Sequence, residues 1–155
     1  MEREKAKEIL LFFRDIDNKV ALNARVKSEL EEKYYSVGGG HLDSMPKNSR
    51  KISRPTEMQA LNVPNSVTET LRELSVSNDR LSRLKKEILN EFNKLPYLQQ
   101  IIIYDFYIVG HQWVQISKHV HYSIAQCKNI RNRGLDRLAD YFSSNKTIFK
   151  YCFPN

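Results

Sequence analysis

Between Ser123 and Phe142 the chain gathers the side chains best suited to reading a polyanion. Gln126, Lys128, Asn129, Arg131, Asn132, Arg133 and Arg137 form the polar side of a helical pattern. Cys127, Ile130, Gly134, Leu135, Leu138 and Phe142 recur at three- and four-residue steps on its apolar side. An amide side chain can make two hydrogen bonds to an adenine edge, and Lys or Arg can donate to guanine or to phosphate. The competing reading is a solvated face on a three-helix bundle. No Glu occurs in residues 96–155, and that absence favours DNA.

Two shorter elements must position that helix. Pro96 suits the first turn of an apolar helix built from Leu98, Ile101, Ile102, Tyr104 or Asp105, and Ile108, which stops at Gly110. Trp113, Ile116, Ser117 and Val120 predict a second helix of about eight residues. His121 and Tyr122 follow, then Ser123 as an N-cap. Three helices with a tight turn before a basic polar helix describe a helix-turn-helix.

The N-terminal half predicts different work. Ile9, Phe13, Ile16 and Val20 step by 4, 3 and 4, and the register continues through Asn23 and Lys27 to Leu30 and Tyr34. This is a long helix with a coiled-coil-like seam, where Ala24 and Val26 share the packing around its polar interruptions. Gly38-Gly39-Gly40 ends it. A phosphate-cradling loop would need Lys and Ser/Thr after the last glycine, and the chain has His41-Leu42. Three prolines and many Ser/Asn predict a flexible loop over 38–66, in which Met58, Leu61 and Val63 either form a short helical turn or dock on a neighbour.

Helix returns at Asn65 or Ser66, either of which fits an N-cap, and Ser66 with Glu69 has capping-box spacing. Its stripe is Val67, Leu71, Leu74, Leu81, Leu84, Ile88, Phe92 and Leu95, interrupted at Asn78. Two such stripes predict an antiparallel helical hairpin over 1–95, followed by the helix-turn-helix domain and an aromatic tail over 96–155. The fold class expected is all-α. Pairing Val37 with Val67 and Ile9 with Leu95 brings Asn23 within about one turn of Asn78. A buried polar pair there would fix register, as in coiled coils; the alternative puts both at the edge of the seam.

Charge follows the same division. Of the net +7, residues 96–155 carry +4, whereas residues 1–36 hold 8 basic and 8 acidic side chains. Balanced charge marks solvated helices, and the basic excess marks a polyanion binder. No apolar run approaches the ~20 residues of a membrane helix, and MEREKAKE is no secretory signal. Two cysteines make neither a disulfide framework nor a metal knuckle. His119, His121 and Cys127 are irregularly spaced and make a poor metal site. Cys127 falls on the apolar face and reads as a buried small hydrophobe. A soluble, cytoplasmic protein without catalytic activity, cofactor or metal is expected.

Gly110, Trp113, Ile116, Ser117, Tyr122, Ser123, Ile130, Gly134, Leu135 and Leu138 together resemble region 4 of bacterial sigma factors. They resemble more closely the sigma-region-4-like phage regulators of the ArpU and RinA type. Met45-Pro46-Lys47-Asn48-Ser49 is similar to the stretch joining the two long helices in one group of those regulators. The chain departs from the pattern at Ser117 and Gly134, where Ala is usual, and in its His-Val-His-Tyr turn, where Leu-Gly-Tyr is usual.

The resemblance implies transcriptional control of phage genes in a bacterial host, with double-stranded DNA as partner and RNA polymerase as a further one. By position in that fold, Ser123, Ile124, Gln126, Lys128 and Asn129 would meet bases, with Asn132 beside them. Lys118, Arg131, Arg133 and Arg137 would hold phosphates. Trp113, Ile116, Tyr122, Cys127, Ile130, Leu135 and Leu138 read as core. A homodimer could form through the hairpin or through the tail, Ile148 to Pro154. Two other functions fit the same elements: a small terminase-like DNA-packaging component, and a protein-interaction module using a helix-turn-helix fold.

Overall fold

A computed structural model describes residues 1–35 and 63–152 of the chain. The protein is all-α. Its helices are α1 (Arg3–Tyr35), α2 (Asn65–Phe92), α3 (Tyr97–Ile103), α4 (Trp113–Val120), α5 (Ile124–Ser144) and α6 (Lys146–Cys152). α3 runs on as a π-helix over Tyr104–Val109. The expectations for Gly38-Gly39-Gly40, for loop residues 38–62 with Met45–Ser49, Met58 and Leu61, and for Phe153-Pro154 lie outside the described residues.

The chain divides into two compact units, Met1–Lys19 with Arg80–Asn155, and Val20–Asp79. This differs from the sequence boundary at 95/96. The cause is burial: Ala6, Ile9, Leu10 and Ile16 of α1 and Leu81, Leu84, Ile88 and Phe92 of α2 are all core residues of the first unit, with Ile102, Leu138, Phe142 and Ile148. Arg3 adds a two-pronged bond to Asp136 on α5, both arms 2.8 Å. Both partners are largely exposed, so the pair fixes position more than it adds stability.

α2 begins one or two residues earlier than the expected caps allow. The Pro64 carbonyl accepts from Val67 and Thr68, so Asn65 and Ser66 lie inside the first turn and neither is the cap. Proline suits this place because the N–H it lacks would have gone unused.

Gly134 sits where α3 crosses α5. A Cβ there would lie 2.6 Å from Ile103 Cδ1 and 3.3 Å from Gln99 Cβ. Ile103 is fully buried and has little room to yield. The departure from Ala at this position therefore reflects a close helix approach. Gly134→Ala should gain up to ~1 kcal/mol of helix propensity and lose ~1–3 kcal/mol to overpacking. The expected net is a loss near 1 kcal/mol in denaturant unfolding; a net gain would show that the crossing relaxes freely.

Asn145 joins three helices. Its amide oxygen accepts from Thr147 N and Ile148 N at 3.1 and 3.2 Å, capping α6. Its amide nitrogen donates to Glu87 Oε2 at 3.0 Å and Glu91 Oε1 at 2.9 Å on α2. Burial pushes the Glu91 carboxyl up, but the bonds from Lys94 and Asn145 outweigh it and hold the carboxyl below the usual range. Such a lowered pKa adds stability at neutral pH that is lost as pH falls from the usual carboxylate range through the lowered value. Asn145→Ala should cost ~1–2 kcal/mol at neutral pH and raise the Glu91 pKa, which carboxyl NMR titration would read. Asn145→Asp keeps an oxygen cap but sets three carboxylates together, so it should cost more than Ala at pH 7. The reverse order would remove the bridging role.

In the second unit no described residue is fully buried. Val20, Val26 and Leu30 of α1 and Val67, Leu71 and Leu74 of α2 are half-buried along the seam. Asn23 Nδ2 donates to Asn78 Oδ1 at 2.9 Å, and Asn78 Nδ2 reaches the Val20 carbonyl at 3.5 Å. The expected asparagine pair is therefore formed. Ala24, expected in the packing, is exposed, because Asn23 takes the inward position and the next residue turns ~100° away.

Candidate nucleic-acid interface

The π-helical turns before Gly110 set the geometry. Gly110 N donates to Asp105 O at 3.0 Å, and the glycine ends the helix in a left-handed conformation, φ 88°. The wider turns let three successive side chains find partners. Asp105 meets His119 Nδ1 on α4 at 3.0 Å, Phe106 stacks on Trp113 at 4.4 Å, and Tyr107 is buried. α4 is fastened at its start as well, where Gln112 N donates to Gln115 Oε1 at 2.9 Å.

α4 spans the eight residues Trp113–Val120 and ends at His121, whose φ of 61° is left-handed. The turn is then closed from inside. Ser117 Oγ donates to the Tyr122 carbonyl at 2.5 Å, and Cys127 Sγ approaches the same oxygen at 3.8 Å. With its carbonyl turned inward, Tyr122 sends its ring outward and is 42% exposed. It is not the core residue the sequence pattern suggested. Ser123 caps α5, with Oγ accepting from Gln126 N at 3.2 Å.

Beneath this turn Ile102, Ile116 and Cys127 are fully buried, and Leu98, Phe106, Trp113, Val120 and Ile130 pack around them. Burial pushes the Cys127 thiol up, which leaves it a weak nucleophile. His119 is turned to Asp105 and Cys127 lies in the core, so they do not converge with His121 on one point. No group of three His, Cys, Asp or Glu able to hold a metal occurs among the described residues. None of the described helices is long and apolar enough to cross a membrane.

Of the expected contact residues, Ser123, Ile124, Gln126, Lys128, Asn129, Arg133 and Arg137 are exposed on α5, and Lys118 is exposed on α4. Gln126, Asn129, Arg133 and Arg137 follow at steps of 3, 4 and 4 and so share one face. Lys128 lies on the side of α5 toward Trp113, its Nζ 5.9 Å from that ring centroid.

Arg131 and Asn132 are half-buried. Arg131 stands four residues from Cys127 and four from Leu135, both fully buried, so helix geometry carries it toward the inner side rather than the outer face expected. Its guanidinium lies 4.9 Å from the Trp113 ring centroid and 5.6 Å from that of Phe106. Its Nε donates to Asn132 Oδ1 at 3.1 Å.

No pattern in the sequence marks Phe106, Asp105 or Gln112 as positioning residues. A Gln pair three apart ahead of an apolar run was the one available signal, for Gln112.

No family model, no curated protein and no solved structure matches the chain.

Proposed function

We propose that the chain is a sequence-specific DNA-binding transcriptional regulator, phage-encoded and acting on phage genes. In this reading α4, the turn at His121–Ser123 and α5 are the helix-turn-helix, and the first turns of α5 enter the major groove. One observation carries it: the exposed side of α5 presents Gln126, Asn129, Arg133 and Arg137 in line, with Asp136 and Asp140 exposed only in its later turns, on a helix whose other face is buried. Ser123, Ile124, Gln126, Lys128 and Asn129 are the base-reading set, and Lys118, Arg133 and Arg137 hold phosphates. The resemblance to sigma-region-4-like phage regulators supports the phage role and makes RNA polymerase a further partner.

A homodimer through the second unit belongs to the same proposal. Its support is the half-buried seam around Asn23 and Asn78, which two helices alone leave unfilled. The tail is a weaker candidate, because Ile148 is fully buried in the first unit and Tyr151 packs against Phe12 at 6.0 Å.

Selection of bound DNA from a random pool tests both parts. The expected product is a two-part site with half-site centres one helical turn, roughly 34 Å, or a multiple of it apart. Gel shifts on that site should weaken steeply with salt. Failure to select any sequence, with no salt-sensitive binding, would leave a protein-interaction module. A ring-sized oligomer in solution would point to DNA packaging.

A further inference from the structure

We infer that the groove between α2 and α6 docks an acidic protein segment that also carries apolar side chains. The groove encloses about 600 Å³ and is lined by Arg80, Arg83 and Leu84 of α2 and by Lys146, Thr147, Lys150 and Tyr151 of α6. Four cations therefore face one cleft whose lining contains no carboxylate. Asp79, beside Arg80 in sequence, is not among the lining residues, and three carboxylates of the first unit are engaged elsewhere. Asp17 holds Lys85 at 2.6 Å, Glu91 holds Lys94 at 2.6 Å, and Asn145 bridges Glu87 and Glu91. None of the four cations makes an ion pair or side-chain hydrogen bond among the described residues. Like charges gathered without a counter-charge repel, and an anion entering the cleft relieves that cost.

The cleft is preformed. Arg80 and Arg83 are three apart on α2, and Lys146 and Lys150 four apart on α6, so each pair shares a helix face. α6 itself is pinned by the Asn145 cap and by Ile148. The backbone that carries the cations is therefore set before a partner arrives, which lowers the ordering cost of binding.

Charge complementarity decides the class of occupant. The chain's own residues 37–66 carry net +2 and residues 96–155 carry +4, so neither segment supplies the missing anion. Nucleic acid fits less well than protein. The Tyr151 ring, 37% exposed, and the aliphatic stems of the arginines and lysines give the cleft apolar surface, which a phosphodiester backbone cannot match and an amphipathic acidic segment can. The cleft also lies at the far end of α5 from Lys128. The 16 residues from Lys128 to Ser144 span roughly 24 Å, away from the base-reading turns. The inference thus goes beyond the DNA reading and stands whether or not α5 binds DNA.

The test uses the full chain and a fluorescein-labelled synthetic peptide of Leu-Glu-Glu-Leu repeats, followed by anisotropy. A matched peptide with Ser in place of Leu is the control. The Leu peptide should bind and the Ser peptide should bind markedly more weakly. Arg83→Glu with Lys150→Glu should weaken peptide binding at least about tenfold, and Lys128→Ala should leave it unchanged. Lys146→Gln with Lys150→Gln, both at exposed positions, carries the test if the charge reversal unfolds the protein. Overturning results are no binding, equal binding of both peptides, or full affinity in a folded variant. A loss of duplex-DNA binding as large as the loss of peptide binding would make the cleft a nucleic-acid surface and would also overturn the inference.

Discussion

Asn129→Ala should weaken binding to the selected DNA site by ~1–3 kcal/mol, about 5- to 150-fold, and leave binding to unrelated duplex almost unchanged. Asn129 is exposed and makes no side-chain hydrogen bond among the described residues. Its removal breaks nothing inside the fold, and Ala is the better helix former. The unfolding midpoint should therefore hold or rise slightly while specific affinity falls. That opposition separates a base contact from a structural residue.

Lys128→Ala should lose a similar amount on the specific site. Its Nζ rests near the Trp113 ring, an exposed cation–π contact worth only ~0.5–1 kcal/mol. Arg133→Ala and Arg137→Ala should weaken all sequences alike and each lower the salt slope by about one. Arg131→Ala makes the contrast, because its guanidinium covers Trp113 and Phe106, so stability falls first. Equal loss for Asn129→Ala on every duplex would mark a backbone contact instead, and no loss on any would remove α5 as the reading helix.

What could be read in advance was periodic and local. The eight residues of α4, the Ser123 cap and the Asn23–Asn78 pairing all follow from spacing along one helix or between two. Arg131 was misplaced because a two-letter apolar/polar reading assigns every arginine to the outside. The 3.6-residue period sets it between Cys127 and Leu135, and its charge is met by an aromatic face that such a reading cannot represent. Tyr122 went outward for a backbone reason, the inward turn of its own carbonyl. The π-helical segment Tyr104–Val109 had no local signal, since the partners its side chains meet, Trp113 and His119, lie on the next helix. The division into units depended on contacts of very long range. Arg3 meets Asp136, and Phe12 meets Tyr151. No composition shift at 95/96 could show that both ends of the chain share one core.

Replacing both asparagines of the second unit, Asn23→Leu with Asn78→Leu, should raise stability by ~1–3 kcal/mol and broaden the oligomeric state. The hydrogen bond between them, 2.9 Å, is worth only ~1 kcal/mol net in a half-buried seam. Two leucines there would each bury apolar area worth ~1.5–3 kcal/mol if fully covered, and less here. What the pair supplies is specificity, because only one register brings the two amides together. Asn78→Leu alone should gain less. It leaves Asn23 Nδ2 with Ser77 Oγ at 3.5 Å, a poor partner, although water reaches a half-buried amide. Denaturant unfolding of the two single variants and the double gives the coupling, and sedimentation gives the oligomer distribution. If the dimer seam lies in this unit, loss of register should appear as a mixture of assemblies and as tolerance of altered half-site spacing in the DNA. Unchanged stability together with a single unchanged assembly would leave the asparagines without a registering role.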